Sequence, residues 1–130
     1  MYLWLILLLF LAGCSASDPP AAQLQSDQVR VFPRVSLTPD QVRLVESGVQ
    51  RILNDPGAAR FGEIYAGQQP DGTLYVCGSV DARNSSGGYT GDQPFYGTLD
   101  QRAFTPTTIG GDEVQSRAIE AYCRQQLSLG

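Results

Sequence analysis

The sequence contains no lysine and no histidine, and its nine positive charges are all arginine. Without imidazole the commonest general base and the commonest metal ligand are missing, which removes the usual routes to hydrolysis and to zinc chemistry. The arginines form no cluster, a bias that matches GC-rich codon usage. Thirteen acidic residues outnumber them, for a net charge of −4. Phosphate binding calls for a basic patch, so nucleic acid is set aside as a partner. Cysteine is scarce, with three residues, and long apolar runs are scarcer still, with one at the amino terminus. What remains is 130 residues, 42% of them hydrophobic, which is one domain's worth of chain with a modest core.

The one apolar run, Leu3 to Leu11, is nine residues long, about half the ~20 that span a bilayer, and it leads into Leu11-Ala12-Gly13-Cys14. It reads as a signal peptide over residues 1–13. Those four residues resemble the lipobox of bacterial lipoproteins, and the resemblance implies that Cys14 becomes an acylated first residue anchored in the membrane. Ser15 after it, where aspartate is absent, implies by the same resemblance export to the outer membrane, facing the periplasm. Residues 14–36 then read as lipidated cysteine and flexible tether. Within them Ser15 to Gln28 holds Pro19-Pro20 and is otherwise mostly Ala, Gln, Ser and Asp, a composition that cannot bury enough apolar surface to fold. As a coil its span is roughly 20 Å, enough to hold a small domain clear of the headgroups.

Residues 37–130 read as a single α+β domain. Before it, Val29-Arg30-Val31-Phe32-Pro33 either adds an edge strand or lies extended, Pro33 arguing against a central position. Thr38-Pro39-Asp40-Gln41 opens a helix with a capping box, and Val42, Val45, Val49, Ile52 and Leu53 follow at helical spacing until Asn54-Asp55-Pro56-Gly57 stops it. Ala58 to Phe61 is expected to turn and plant Phe61 in the core. Glu63 to Ala66 and Thr73 to Arg83 read as a hairpin around Gln69-Pro70-Asp71-Gly72, with two more strands at Phe95 to Leu99 and Arg102 to Thr107. In the second strand Leu74, Val76, Gly78, Val80 and Ala82 point one way and Tyr75, Cys77, Ser79, Asp81 and Arg83 the other, unless Gly78 marks a bulge. Asp112-Glu113 starts a last helix carrying Val114, Ala118, Ile119, Tyr122, Cys123 and Leu127. The order predicts a small antiparallel meander of three to four strands, flanked by an N-terminal and a C-terminal helix that pack on one face.

With Cys14 taken by lipid, two cysteines remain, and an oxidising periplasm leaves one intramolecular pairing, Cys77 with Cys123. Nothing beside Cys77 lowers its pKa, so a structural bridge is the stronger reading than a nucleophile.

The densest polar and aromatic stretch, Tyr75 to Phe95, joins two strands through a long Gly/Ser/Asn connection. Arg83, Asn84, Tyr89 and Asp92 are its candidate binding residues, although Asn-Ser-Ser-Gly-Gly also suits an ordinary turn. Gly87 to Asp92 approximates a calcium repeat with one glycine out of place and no repetition, and no metal or cofactor is assigned. Leu53 to Phe61, Val76-Cys77-Gly78, Asn84 to Gly91 and Pro94-Phe95 together resemble a group of small exported proteobacterial proteins with no assigned activity. That resemblance covers about residues 38 to 125; it implies a shared compact domain and carries over no catalytic residue.

The functional expectation is a lipid-anchored envelope protein, a non-enzymatic binding or assembly module whose partners are the membrane, through its anchor, and an envelope protein. The alternative is a small envelope hydrolase using carboxylates of the Asp81 to Asp92 region, which needs two acids converging in a cleft.

Overall fold

The computed structural model of the chain describes residues 30–129. The stretch read as a signal peptide, Cys14, and the stretch read as a tether as far as residue 29 lie outside the described residues. The first helix, α1 (Pro39–Gln50), starts where its capping residues require. The Gln41 N–H donates to Thr38 Oγ1 at 3.2 Å and the Thr38 N–H donates to Gln41 Oε1 at 2.9 Å, so two otherwise orphaned donors are satisfied. It ends earlier than its apolar spacing predicts. Pro56 opens a single 3₁₀ turn, Pro56–Ala58, and disfavours helical dihedrals at Asp55, so the chain leaves the helix at Arg51. Ile52 is therefore exposed rather than in the core, while Leu53 still packs against it.

Five strands form one antiparallel sheet in sequence order: β1 (Arg34–Val35), β2 (Arg60–Gln68), β3 (Leu74–Arg83), β4 (Tyr89–Leu99) and β5 (Phe104–Ile109). The α+β meander is as the sequence predicts, with one strand more than three to four. The addition is β1, whose two residues pair with Gly67 and Ala66. The Phe32 N–H also donates to the Gln126 carbonyl at 2.8 Å, so the folded body reaches back into the stretch read as tether. Phe61 is planted by β2 rather than by a turn, and its ring meets Phe95 edge-on with centroids 6.4 Å apart. The bulge lies not at Gly78 but opposite it in β2, between Phe61 and Ile64. Gly78 serves another end: a Cβ there would sit 2.5 Å from the Phe95 ring, so only glycine lets that ring lie flat across β3.

The last helix, α2 (Glu113–Leu127), packs on the face opposite α1, not on the same face. Even-numbered β3 residues Val76 and Val80, with Phe95, Leu99 and Phe104, meet Val45 and Val49 of α1. Odd-numbered Tyr75 and Cys77 meet Ile119, Cys123 and Leu127 of α2. Both sets are apolar where a helix covers them, which is the pattern of a strand buried on two sides. A disulfide joins Cys77 to Cys123, with Cα atoms 6.1 Å apart, and clamps α2 to the centre of the sheet. The apolar residues of α2 divide accordingly: Ile119, Cys123 and Leu127 turn inward, whereas Val114, Ala118 and Tyr122 are exposed. On the α1 side, Gly48 seats the helix directly on Phe104 of β5.

Both sheet edges are interrupted. β1 is two residues long, and β5 carries Pro106 beside a register shift between Tyr96 and Gly97. The Arg51 guanidinium donates to the Phe104 carbonyl at 3.4 Å.

Candidate binding surface

The two faces of the sheet are covered unequally, and that inequality creates the site. Toward the β3–β4 turn, Val80 and Ala82 are buried beneath Leu53, Ala59 and the 3₁₀ turn. On the other face α2 covers Tyr75 and Cys77 but leaves the next positions out, Ser79, Asp81 and Arg83, half-exposed or exposed. This uncovered half-face carries the polar residues that the sequence singles out.

The long connection expected before Phe95 is instead a tight hairpin, because β4 keeps its pairing with β3 as far as Arg83↔Tyr89. Asn84 builds the turn. Its Oδ1 accepts from the Ser86 and Gly88 N–H groups at 3.0 and 3.1 Å, while its own N–H donates to the Gly88 carbonyl at 2.8 Å. Asn84 is thus occupied by local bonds of the kind that make asparagine a turn residue. A register shift follows between Asp81 and Arg83, and Gly91 takes it up with φ +78°, a left-handed conformation that suits glycine. The Gly91 N–H donates to Asp81 Oδ1 at 3.1 Å.

The bulge brings Tyr89 within reach of two guanidinium groups. Arg60 Cζ lies 3.7 Å from the ring centroid and Arg83 Cζ lies 5.5 Å from it, both within cation–π range. Arg60 Nη2 also reaches Asp81 Oδ2 at 2.7 Å, and Arg83 Nη1 lies 3.8 Å from Asp55 Oδ2. The result is an alternating row, Asp81, Arg60, Tyr89, Arg83, Asp55, built from β2, β3, β4 and the loop before the 3₁₀ turn. The Asp81 side chain is only 17% exposed, so its pair with Arg60 is the better shielded of the two. The Arg83–Asp55 pair is open to solvent and contributes little. Tyr89 itself is 42% exposed, and both guanidinium groups lie against its ring.

Of the candidates read from the sequence, Arg83 and Tyr89 come together, Asn84 holds their turn, and Asp92 stands apart. Asp92 is the cross-strand partner of Asp81 and lines a different feature, an open groove of about 510 Å³ running over the disulfide. Glu63, Tyr65, Glu120 and Arg124 line it as well. The Tyr65 hydroxyl donates to Glu63, and that bond, ahead of burial, holds the phenol above its ordinary pKa. Both oxygens of Asp81 are engaged, one by Arg60 and one by Gly91, so the two aspartates do not form a free acid–base pair. Among the described residues no group of three Cys, Asp or Glu side chains could hold a metal ion.

Arg60 and Asp55 are the contributors that the sequence reading does not name. No signal in the sequence finds them: extending the hairpin register from its Gln69 to Gly72 turn sets Arg60 opposite Ala82, and only the bulge between Phe61 and Ile64 moves it to Asp81. Among the described residues no helix is long and apolar enough to cross a membrane. Comparison with protein-family models, with curated proteins and with solved structures finds no match.

Proposed function

We propose that this protein is a lipid-anchored module of the bacterial envelope that binds an envelope protein and performs no chemistry of its own. In this reading Cys14 holds it to the outer membrane, the tether faces it into the periplasm, and the uncovered half-face of the sheet is the recognition surface. The observation that carries the proposal is the Arg60–Tyr89–Arg83 stack. A partly exposed aromatic ring in contact with two arginines, on a sheet rather than on a loose loop, is the type of anchor enriched at protein interfaces. The Cys77–Cys123 bridge fits an exported destination. The hydrolase alternative draws less support, since the Asp81 carboxylate is already committed to Arg60 and Gly91.

The test is crosslinking of the anchored protein in intact envelopes, comparing the native chain with Arg60→Ala/Tyr89→Ala. The native chain is expected to yield a specific crosslinked partner that the variant loses while its melting temperature changes little. Equal recovery by both would show that the stack is not the recognition surface. The anchor is tested separately: a fatty-acid analogue should label the native chain and not Cys14→Ser, and label persisting on that variant would refute acylation there.

A further inference from the structure

We propose that the groove over the disulfide is a second contact on the uncovered half-face, shaped to take a long basic side chain, arginine or lysine, from a segment of the protein partner. This rests on the reading of that half-face as a recognition surface and names the chemistry of what is recognised. One wall of the groove is the flank of α2 that carries Glu120 and Arg124, and the other is β2 with Glu63 and Tyr65. The floor between them is low. The β2 bulge sets Gly62 over Ser79, where a Cβ would strike the Ser79 hydroxyl, and Gly78, Pro94 and the bridged cysteines complete the floor. A long basic side chain can lay its apolar stem on such a floor and keep its charged head at the rim.

The rim decides the sign of that head. Three carboxylates, Glu63, Asp92 and Glu120, line the groove against one cation, Arg124, which is spent within α2 on Glu120 at 3.9 Å. Glu63 accepts from the neutral Tyr65 hydroxyl, which leaves its charge uncompensated, and Asp92 takes part in no ion pair among the described residues. Two negative charges are therefore left at the rim of a mostly apolar floor, a combination that a basic side chain satisfies along its whole length. Shape and position assign that side chain to a protein. At about 510 Å³ the groove has the volume of a small-molecule site, yet it is open, whereas sites for free small molecules enclose most of the ligand's surface. A side chain carried on a larger interface needs no such enclosure. The groove also adjoins the arginine–tyrosine row: Asp92 lies across the strands from Asp81, which holds Arg60, so one partner surface can cover both.

The test is titration of the isotope-labelled full-length chain in detergent with a blocked Ala-Ala-Arg-Ala-Ala peptide, followed by nuclear magnetic resonance at the backbone amides of Gly62, Gly78 and Ser79. Those amides are expected to shift, and the same peptide with glutamate in place of arginine should leave them unmoved. Asp92→Asn and Glu63→Gln should each weaken binding about two- to fivefold, the effect of losing one exposed charge pair. Arg124→Gln should strengthen it, because the one cation at the rim competes with the incoming charge, and a residue that only supports the fold would give no such gain. Asp40→Asn, on the helix that covers the other face, should change nothing. All four positions are exposed, and thermal melts check that folding is retained. The peptide titration reads the groove and the envelope crosslink reads the row, so either can fail while the other holds. Amides that stay still with the arginine peptide, equal shifts with the glutamate peptide, or an affinity indifferent to the three groove substitutions would overturn the proposal. Spermidine binding the groove more tightly than the peptide would overturn a protein as its occupant.

Discussion

Gly48 of α1 faces Phe104 of β5 with no room for a methyl group between them: a Cβ on Gly48 would lie 2.5 Å from the Phe104 carbonyl oxygen and 2.9 Å from its Cβ. Backbone cannot swing aside as a flexible side chain can. Gly48→Ala is therefore expected to destabilise the fold, although alanine gains about 1 kcal/mol in helix propensity. Overpacking costs typically 1–3 kcal/mol, and pushing α1 off the sheet belongs at the upper end of that range. Urea denaturation of native and variant proteins gives the sign directly, and a more stable variant would show that α1 is free to shift.

The bridge between Cys77 and Cys123, 46 residues apart, closes most of the meander into one loop. In the chain-entropy account a loop of that size stabilises by about 4 kcal/mol, a large share of a small domain's total. Cys123→Ala should lower the melting temperature markedly. Thiol counting on the unfolded, unreduced mature protein should find no free thiol, and two per chain would refute the bridge.

The Tyr75 hydroxyl is buried among Phe32, Tyr96 and Tyr122 and has no hydrogen-bond partner among the described residues. Burial, then the neighbouring Tyr122 and Tyr96, drive its ionisation far above the ordinary tyrosine range, so it stays neutral. An unsatisfied buried hydroxyl carries a desolvation cost of about 1–3 kcal/mol. Tyr75→Phe keeps the ring and removes that cost, and should raise the denaturation midpoint. A drop of more than about 1 kcal/mol would mean that the hydroxyl has a partner after all.

Asp71 and Asp100 pin the β2–β3 and β4–β5 turns. Asp71 accepts from the Thr73 hydroxyl and N–H, and Asp100 from the Arg102 and Ala103 N–H groups. Those bonds hold both carboxyls below the usual aspartate value. A pKa lowered on folding means that the unfolded chain binds more protons, so this stabilisation is present above about pH 4 and is lost as pH falls through the folded values. Asp100→Asn keeps an acceptor oxygen but no titrating group. Its denaturation midpoint should fall less between about pH 4 and 2 than that of the native chain, and equal slopes would discount Asp100.

Local signals in the sequence were decisive where the chemistry is local. Thr38 and Gln41 announce α1, Gln69 to Gly72 announces a hairpin, and alternation in β3 separates Val76 and Val80 from Tyr75 and Cys77. What the sequence hides is set by tertiary pairing. Two residues of β1 carry no period to detect. That α2 lies on the opposite face from α1 depends on two odd-numbered positions, Tyr75 and Cys77, and the even-numbered run is no less apolar. Val114, Ala118 and Tyr122 share helical spacing with Ile119, Cys123 and Leu127, so periodicity alone cannot say which stripe faces the sheet. At the candidate surface Arg83 and Tyr89 were legible as an unusual pair in a turn-rich stretch. Arg60 was not, because it joins them only through the register of β2 against β3.

The short β1 and the proline-bearing β5 also determine how the protein behaves when crowded. A meander ending in long, straight strands would offer its unpaired amides to any neighbour and could propagate into fibrils. Here one border gives two residues of pairing and the other meets Pro106, which has no N–H to donate. Molecules concentrated side by side therefore find no edge along which to zip into continuous sheet.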